Sequence, residues 1–563
     1  IISFAVITAI YVVLSAKILI LLAHVVGIHF LINGEKKMSV YSTIPIKRPR
    51  RTAHNLTHSV DTCCNIGQLI PTARPIECVP GDTISLSSIT SVDLMPLVRP
   101  FKGDLYLESW AFFVSNDNLK TSSDSGTFTE ILTSASDPQN VLPLPSLSIT
   151  NNSSWVSLGH LFDYMGFPIG VGNDNSNLKI SPYPFRAYYK IWDEYFRDEN
   201  LQTETFTVSQ SGIYTGAPIL NVNYKKDRFT SAFQSEQKGN PIRLSLGISA
   251  PLVATASLVH RDSQGVIQSN AELSVLGVSP ANLMARSKDD PSVVYSGGSI
   301  DVTVTGTADL TNATSLTIND LRLANKLQKW EERLQLAGSR PKEYLLANYG
   351  ICPNDETLQR PVLIGHISTP VIVNSVVQNL PDSNSPAGSK FGNGVTVGST
   401  DFGKWLCKEF GWVIVLSALR PKSNYTQGIH RSFIKNTIYD FFNPIFENLG
   451  QQEIYNAEVF AQNSSADSGV FGFTDRYNEY RNIESMTTGA LRGNGAQGLQ
   501  GWIMNRKFAS LPTLSSSFIT VNASEYDYLF NFTSSSSTPQ AIIHSDNLIK
   551  SIRPISKYAH PSL

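Results

Sequence analysis

The chain has 563 residues, 41% of them hydrophobic and 16% charged, with a formal net charge of −1. So balanced a chain does not hold nucleic acid by bulk electrostatics, and any such contact needs a local basic patch. The low charge density suits a protein that hides much of its surface against copies of itself, because obligate interfaces resemble a core cut in half.

Residues 1–32 are almost wholly apolar, with Lys17 as the only charge. Their length and composition are those of a membrane span or signal anchor. Against that reading, the chain begins at Ile1, and the first methionine downstream is Met38. The codons of Gly34-Glu35-Lys36-Lys37 can spell a purine-rich ribosome-binding site. Residues 1–37 are therefore expected to be a non-native extension translated from too far upstream. A membrane-anchored, glycan-binding surface β-sandwich stands as the alternative. Residues 38–75 are polar and irregular, with the basic run Lys47-Arg48-Pro49-Arg50-Arg51. Pro45 and Pro49 discourage helix and central strand, so this part reads as an extended basic arm.

From Ile76 onward short strand signals alternate with turn signals. Val79-Pro80-Gly81-Asp82 reads as a turn before an alternating run at Ile84–Leu86. LYLESWAFFV, 105–114, is apolar on both faces and reads as a buried strand. Residues 115–180 are rich in Ser, Asn, Asp and Gly and read as a long loop with a few short elements. FRAYYKIWDEYFRDENLQ, 185–202, has helical apolar spacing behind Pro184. Residues 240–316 return to β-type alternation, as in IDVTVTG at 300–306. Residues 318–337 are the clearest helix: Leu321, Ala324, Leu327 and Leu334 share a side, and Gly338 supplies the stop. WVIVLSAL at 412–419 and FITV at 518–521 read as strands. The pattern predicts a mainly β sandwich or jelly roll over 76–563, with long insertions containing a few helices.

Five cysteines (Cys63, Cys64, Cys78, Cys352 and Cys407) are odd in number and irregularly spaced, with no C-x-x-C or Cys/His zinc pattern. They point to a reducing assembly compartment. His54 and His58 are four apart but lack a third ligand nearby, so no metal is expected. The sequence has no G-x-S-x-G elbow, P-loop, GxGxxG or HExxH. Glu331 and Glu332 occupy adjacent helix positions, where side chains diverge. Neither an enzyme nor a cofactor is expected.

At FRAYYKIWDEYFRDENLQ the sequence resembles the major capsid proteins of the Microviridae, in particular the gokushovirus branch, whose arginine-aromatic helix ends in FRD-x-N-L. Other blocks agree in the same order. They are THSVDTCCNIGQLIPTARPIECVPGDT (57–83), YKKDRFTSAFQSEQKG (224–239), INDLRLANKLQKWEERLQLAGSRPKEYLLANYGI (318–351), LQRPVLIGH (358–366), QGIHRSF, NPIFENLGQQEIYNAEVF, FGFTDRYNEYR and the closing IRPISKYAHPSL. The chain departs from the pattern at Pro341, where the family has Tyr, and at Lys408-Glu409-Phe410-Gly411.

The resemblance implies an eight-stranded viral jelly roll, assembled as an icosahedral homo-oligomer of the simplest (T=1) kind around circular single-stranded DNA. It implies a virion protein assembled in the cytoplasm of a bacterial host. The partners it implies are a small basic DNA-packaging protein, a pilot (minor capsid) protein, a scaffolding protein, the DNA genome and a bacterial receptor. Residues 240–316 become the candidate surface protrusion. Lys47, Arg48, Arg50 and Arg51 are the candidate DNA contacts, since a basic arm neutralises phosphates without reading sequence. The plain alternative is an arm that packs under a neighbouring subunit. Arg186, Trp192, Arg197, Arg322, Trp330 and Arg333 are candidate intersubunit contacts, Trp and Arg being enriched at interface anchors. For the 318–337 helix the alternative is a solvated face with weak helical ion pairs.

Overall fold

A computed structural model describes residues 50–134, 142–147, 157–169, 180–206, 213, 216–239, 318–338, 340–381, 386–492 and 499–558, with the backbone of strands between 252 and 308. The apolar segment 1–37, together with Lys47 and Arg48, lies outside the described residues.

Two antiparallel sheets face each other. Their strands are β1 (Thr52–Asn55), β2 (His58–Cys64), β3 (Ile70–Pro71), β4 (Ile76–Cys78), β5 (Thr83–Leu94) and β6 (Leu105–Ser115) from the first part of the chain. Between 252 and 308 follow β7 (Leu252–Arg261), β8 (Ala271–Leu276), β9 (Asn282–Ser287), β10 (Val294–Tyr295) and β11 (Ser299–Ala308). Then come β12 (Val362–Pro370), β13 (Ile372–Val377), β14 (Lys390–Leu406), β15 (Gly411–Pro421), β16 (Gln451–Tyr455), β17 (Val470–Asp475) and β18 (Ala541–Arg553). One sheet runs β1-β18-β5-β14-β13, with β2 also on β18; the other runs β12-β6-β15-β3, with β4 also on β15.

The period-two pattern of β5 and β18 accounts for their place. Ile84, Leu86, Val92 and Leu94 point inward from β5, as do Ile543 and Ile549 from β18, and the intervening side chains face outward. In β6 both faces are covered. Ala111 and Phe113 meet Ile84, Leu86 and Val413 between the sheets, while Trp110 and Phe112 pack with the aromatic cluster of the α1 helix (Tyr183–Tyr195). The buried strand expected at 105–114 therefore owes its double apolarity to a third layer. Hydroxyls inside the sandwich pair with one another: Thr72 with Ser417 at 2.8 Å, and Ser88 with Ser545 at 3.0 Å. The Val79–Asp82 turn is formed, with the Asp82 N–H donating to the Val79 carbonyl and Gly81 at φ +93°.

The basic arm was expected to extend to residue 75. Its second half instead belongs to the sheet, because β1 and β2 pair with β18 from Thr52↔Arg553 to Cys64↔Ala541. Short polar alternation is a weak strand signal, and only the distant C-terminal strand supplies its partner. FITV is not a strand either. Ser516–Ile519 form a single helical turn, with Phe518 and Ile519 both buried. A four-residue apolar run fits a buried helical turn as well as a strand. Helix α1 stops at Tyr195, short of Gln202, because the side chains that follow bond to local backbone: the Asn200 N–H donates to Asp198 Oδ1 and the Asp198 N–H to Gln202 Oε1. The long helix α2 (Ile318–Ala337) and its Gly338 stop, at φ +89°, match the expected range. Helix α3 (Pro341–Tyr349) follows, and Pro341 sits in its first turn, where a missing N–H costs nothing. The β-type alternation of 240–316 corresponds to two small units, a β7–β11 pair and a β8–β9–β10 sheet.

Candidate interaction surfaces

The candidate contacts on and just beyond α1 are spent inside the chain. Arg186 is buried, holding Asp124 with Nη1 to Oδ2 at 2.6 Å and donating to the Leu119 carbonyl. The Trp192 indole N–H donates to the Asn221 carbonyl at 2.9 Å, and the ring is buried. Arg197 lies 3.6 Å from Asp193 and donates to the Gln202 carbonyl. Burial pushes the Asp193 carboxyl up, against the N–H groups of Thr205 and Phe206 and the Arg197 charge. The last carbonyls of this region, those of Asp193, Glu194 and Arg197, accept from the Arg340 guanidinium. Arg340 thereby caps α1 with a cation where the helix dipole favours one.

Helix α2 behaves differently. Gln335 is its only buried residue, and Arg322, Trp330 and Arg333 are all exposed. So are Leu321, Leu323, Leu327 and Leu336. A side-chain cluster holds the helix to the loop before it: Gln237 donates to Glu331 at 2.9 Å, and Gln328 meets both Gln237 and Glu332. On the side shared by Leu321, Ala324, Leu327 and Leu334, Leu321 and Leu327 are thus exposed, while Ala324 and Leu334 are half-buried. Arg322, Trp330 and Arg333 thus stand exposed together on this one helix, apart from the buried Arg186 and Trp192.

Arg50 and Arg51 are exposed just ahead of β1, with Arg51 beside the Gly81 turn. His54 bonds to Thr52 and the Ile555 carbonyl, and His58 to the Leu56 carbonyl and the Arg74 N–H; both serve local backbone.

A cleft of about 500 Å³ lies between α1, the C-terminal end of α2 and β12, with Asp198, Lys226, His366 and Arg420 among its lining residues. Asp198 binds Lys226 at 2.6 Å. Arg420 binds the buried Glu108 at 3.1 Å, which Lys225 also holds at 2.6 Å. His366 stacks on Trp110, and burial pushes its imidazole down. These groups brace the wall of the sandwich: Trp110 and His366 are direct partners across β6 and β12.

Exposed apolar side chains also gather between Ile429 and Leu449 and at Ile483 and Met486, positions for which no role is read in the sequence. A signal was present. SFIKNTIYDFFNPIFENLG is rich in Phe and Ile yet has neither helical nor strand period, and Asn, Asp and Pro interrupt it. Such a segment cannot lay an apolar face on its own core.

A family model described as "Capsid protein (F protein)" matches residues 42–563. The chain is 29% identical to capsid protein VP1 of Chlamydia phage 1, over 87% of this chain and 93% of that protein. It is 29% identical to capsid protein VP1 of Bdellovibrio phage phiMH2K, over 86% and 90%. It is 27% identical to capsid protein VP1 of Spiroplasma virus 4, over 92% and 95%.

Proposed function

Because this chain belongs to the capsid protein (F protein) family, we propose that it is the major shell subunit of a small single-stranded DNA phage, closing an icosahedral particle with copies of itself. It is a capsid protein of the gokushovirus-like Microviridae and a virion component. The observation that carries the reading is the match over residues 42–563, with relatives covered over nine-tenths of their length.

The eight-stranded jelly roll is supported by strand order. Taking β1 with β2 and β3 with β4 leaves eight positions along the chain. One sheet then runs first-eighth-third-sixth and the other second-seventh-fourth-fifth, with β13 added at an edge. Two Greek keys wound together have this order. The long connections β6–β12 and β15–β18 carry the helices and the small sheets.

Assembly follows from chemistry. Flat sandwich sides and long loops bury apolar area, and symmetry closes the shell. Helix α2 presents Arg322, Trp330 and Arg333 for such a contact, while Arg186, Trp192 and Arg197 support it from within. Arg50 and Arg51, continuing Lys47 and Arg48, are suited to phosphate neutralisation at the arm. With a net charge of −1 the chain cannot balance a genome, so a small basic packaging protein is expected beside it. Scaffolding and pilot proteins complete the set, and residues 240–316 are assigned to a protrusion with a role in host attachment.

The test is electron microscopy of the expressed chain together with its scaffolding and packaging partners. Closed shells of uniform size are expected; a chain that stays monomeric with those partners present overturns the reading. Mass spectrometry of the particle separates the membrane alternative, which requires peptides from residues 1–32.

A further inference from the structure

Between Ile429 and Leu449 the chain passes through three short 3-10 turns, Arg431–Phe433, Ile438–Asp440 and Pro444–Phe446. Each is closed by a polar side chain. His430 Nδ1 accepts from the Ser432 N–H. The Asp440 carboxylate accepts from the N–H groups of Asn436 and Thr437 and from the Thr437 hydroxyl at 2.8 Å. Asn443 Oδ1 accepts from the Ile445 N–H at 3.0 Å. With these local bonds made, the turns are stiff and their apolar side chains stand outward: Phe433 is 83% exposed, Ile438 88% and Ile445 84%. Ordering costs on docking are correspondingly small.

The neighbouring loop adds Ile483, 85% exposed, and Met486, 78% exposed. Beside the turns opens a cleft of about 430 Å³, lined by Phe229, Tyr425, Ile429, Phe433, Ile483 and Met486. Its floor is a buried ion cluster, in which Glu458 receives both Arg228 and Arg431. Lys435 ties turns to loop: its amine donates to the Tyr480 hydroxyl at 2.7 Å and lies 5.4 Å from the centre of the Phe441 ring.

Size and charge select the occupant. The apolar side chains from Phe433 to Leu449, with Ile483 and Met486, leave on the order of 1,000 Å² uncovered, given ~150–250 Å² for each large aromatic. A monomer's largest patch is about 300–600 Å², and a stable complex buries about 800 Å² on each partner. From 429 to 449 Arg431 and Lys435 are balanced by Asp440 and Glu447, so an identical surface meets no net repulsion and a phosphate-rich partner finds no attraction. A ridge and a cleft side by side let two copies exchange them about a two-fold axis.

We propose that this face is where a second copy of the chain docks, the Ile438–Ile445 ridge of each entering the cleft beside Phe433, Ile483 and Met486 of the other. The inference rests on the reading of the chain as a self-assembling subunit and names the face that does it. The test compares the full chain with an I438S/I445S variant, following association by sedimentation velocity and checking the fold by circular dichroism and thermal melting. Both substituted side chains are exposed, so the melt should not move, and association should weaken by at least about a hundredfold. A variant that associates like the wild type overturns the proposed face and leaves the capsid reading intact. A wild-type chain that remains monomeric at every concentration, even with its scaffolding and packaging partners present, overturns both. A benzophenone side chain placed at position 445 in assembled particles supplies a second readout. An adduct to the 429–433 or 483–486 peptides of another copy supports the face, and an adduct confined to a different virion protein overturns it.

Discussion

Arg186 grips Asp124 with both terminal nitrogens, Nη1 to Oδ2 at 2.6 Å and Nη2 to Oδ1 at 3.2 Å, and only 3% and 5% of the two side chains is exposed. Asp124 also accepts from the Thr121 N–H and hydroxyl, so the pair fastens the loop after β6 to helix α1. Arg186→Met strands a carboxylate in a dry site. The expected loss is about 3–5 kcal/mol, read as a lowered calorimetric melting temperature. Adding Asp124→Asn should restore much of it. If the double variant melts no higher than the single one, the pairing is not the source.

Glu108 gives the sandwich an acid-sensitive point. Burial pushes its carboxyl up, but the Lys225 hydrogen bond and the Arg420 charge together leave it below the ordinary carboxylate range. Its folded value thus lies under an unfolded value of about 4.3. The stability it contributes is present above the unfolded value and is lost as pH falls through the folded one. Urea unfolding of wild type and Glu108→Gln from pH 6 to pH 3 tests this. The variant should be less stable at pH 6, and its curve should flatten in the acid range. Parallel curves would contradict the assignment.

The cysteines should separate by reactivity. Cys352 is exposed, whereas Cys64, Cys78 and Cys407 are buried. Burial raises the Cys64 thiol, and a hydrogen bond with Cys407, followed by burial, raises that of Cys78. Thiolate is the reacting form. In the isolated native chain, maleimide should label Cys352 within minutes and reach the buried three only after denaturant is added. Mass mapping of labelled peptides decides it; rapid native labelling of Cys78 would be incompatible with its packing.

Helix α2 offers a test apart from the 429–449 face. Trp330→Ala combined with Arg322→Glu alters an exposed Arg and a Trp that is 46% exposed. Stability should therefore change by no more than about 0.5 kcal/mol at Arg322 and fall by about 1–2 kcal/mol at the half-covered Trp330. If the helix meets a neighbour, shell formation should fall about tenfold or more, since Trp and Arg carry interface energy. Particle yield by light scattering, with melting as the control, separates this outcome from simple misfolding.

Much of this protein was legible in local pattern. The alternation in β5, the doubly apolar β6, the Val79–Asp82 turn and the span of α2 to Gly338 all follow from spacing within a few residues. The family resemblance was legible too, as many short blocks in one order. Legibility ended where partners are distant. The strand character of 52–64 depends on a C-terminal strand nearly 500 residues away, and FITV became a helical turn because Phe518 had a cluster to enter.

The sequence by itself determined the sandwich class, the long helix and the capsid-like identity, because periodicity and motif order are properties of neighbouring residues. Only the tertiary structure decided which side chains are spent and which are left over. Arg186 and Trp192 looked like surface anchors and are buried braces, whereas Leu321 and Leu327 of α2 are left exposed. Burial of a side chain is set by what the rest of the chain brings against it, and that is a long-range property no local spacing encodes.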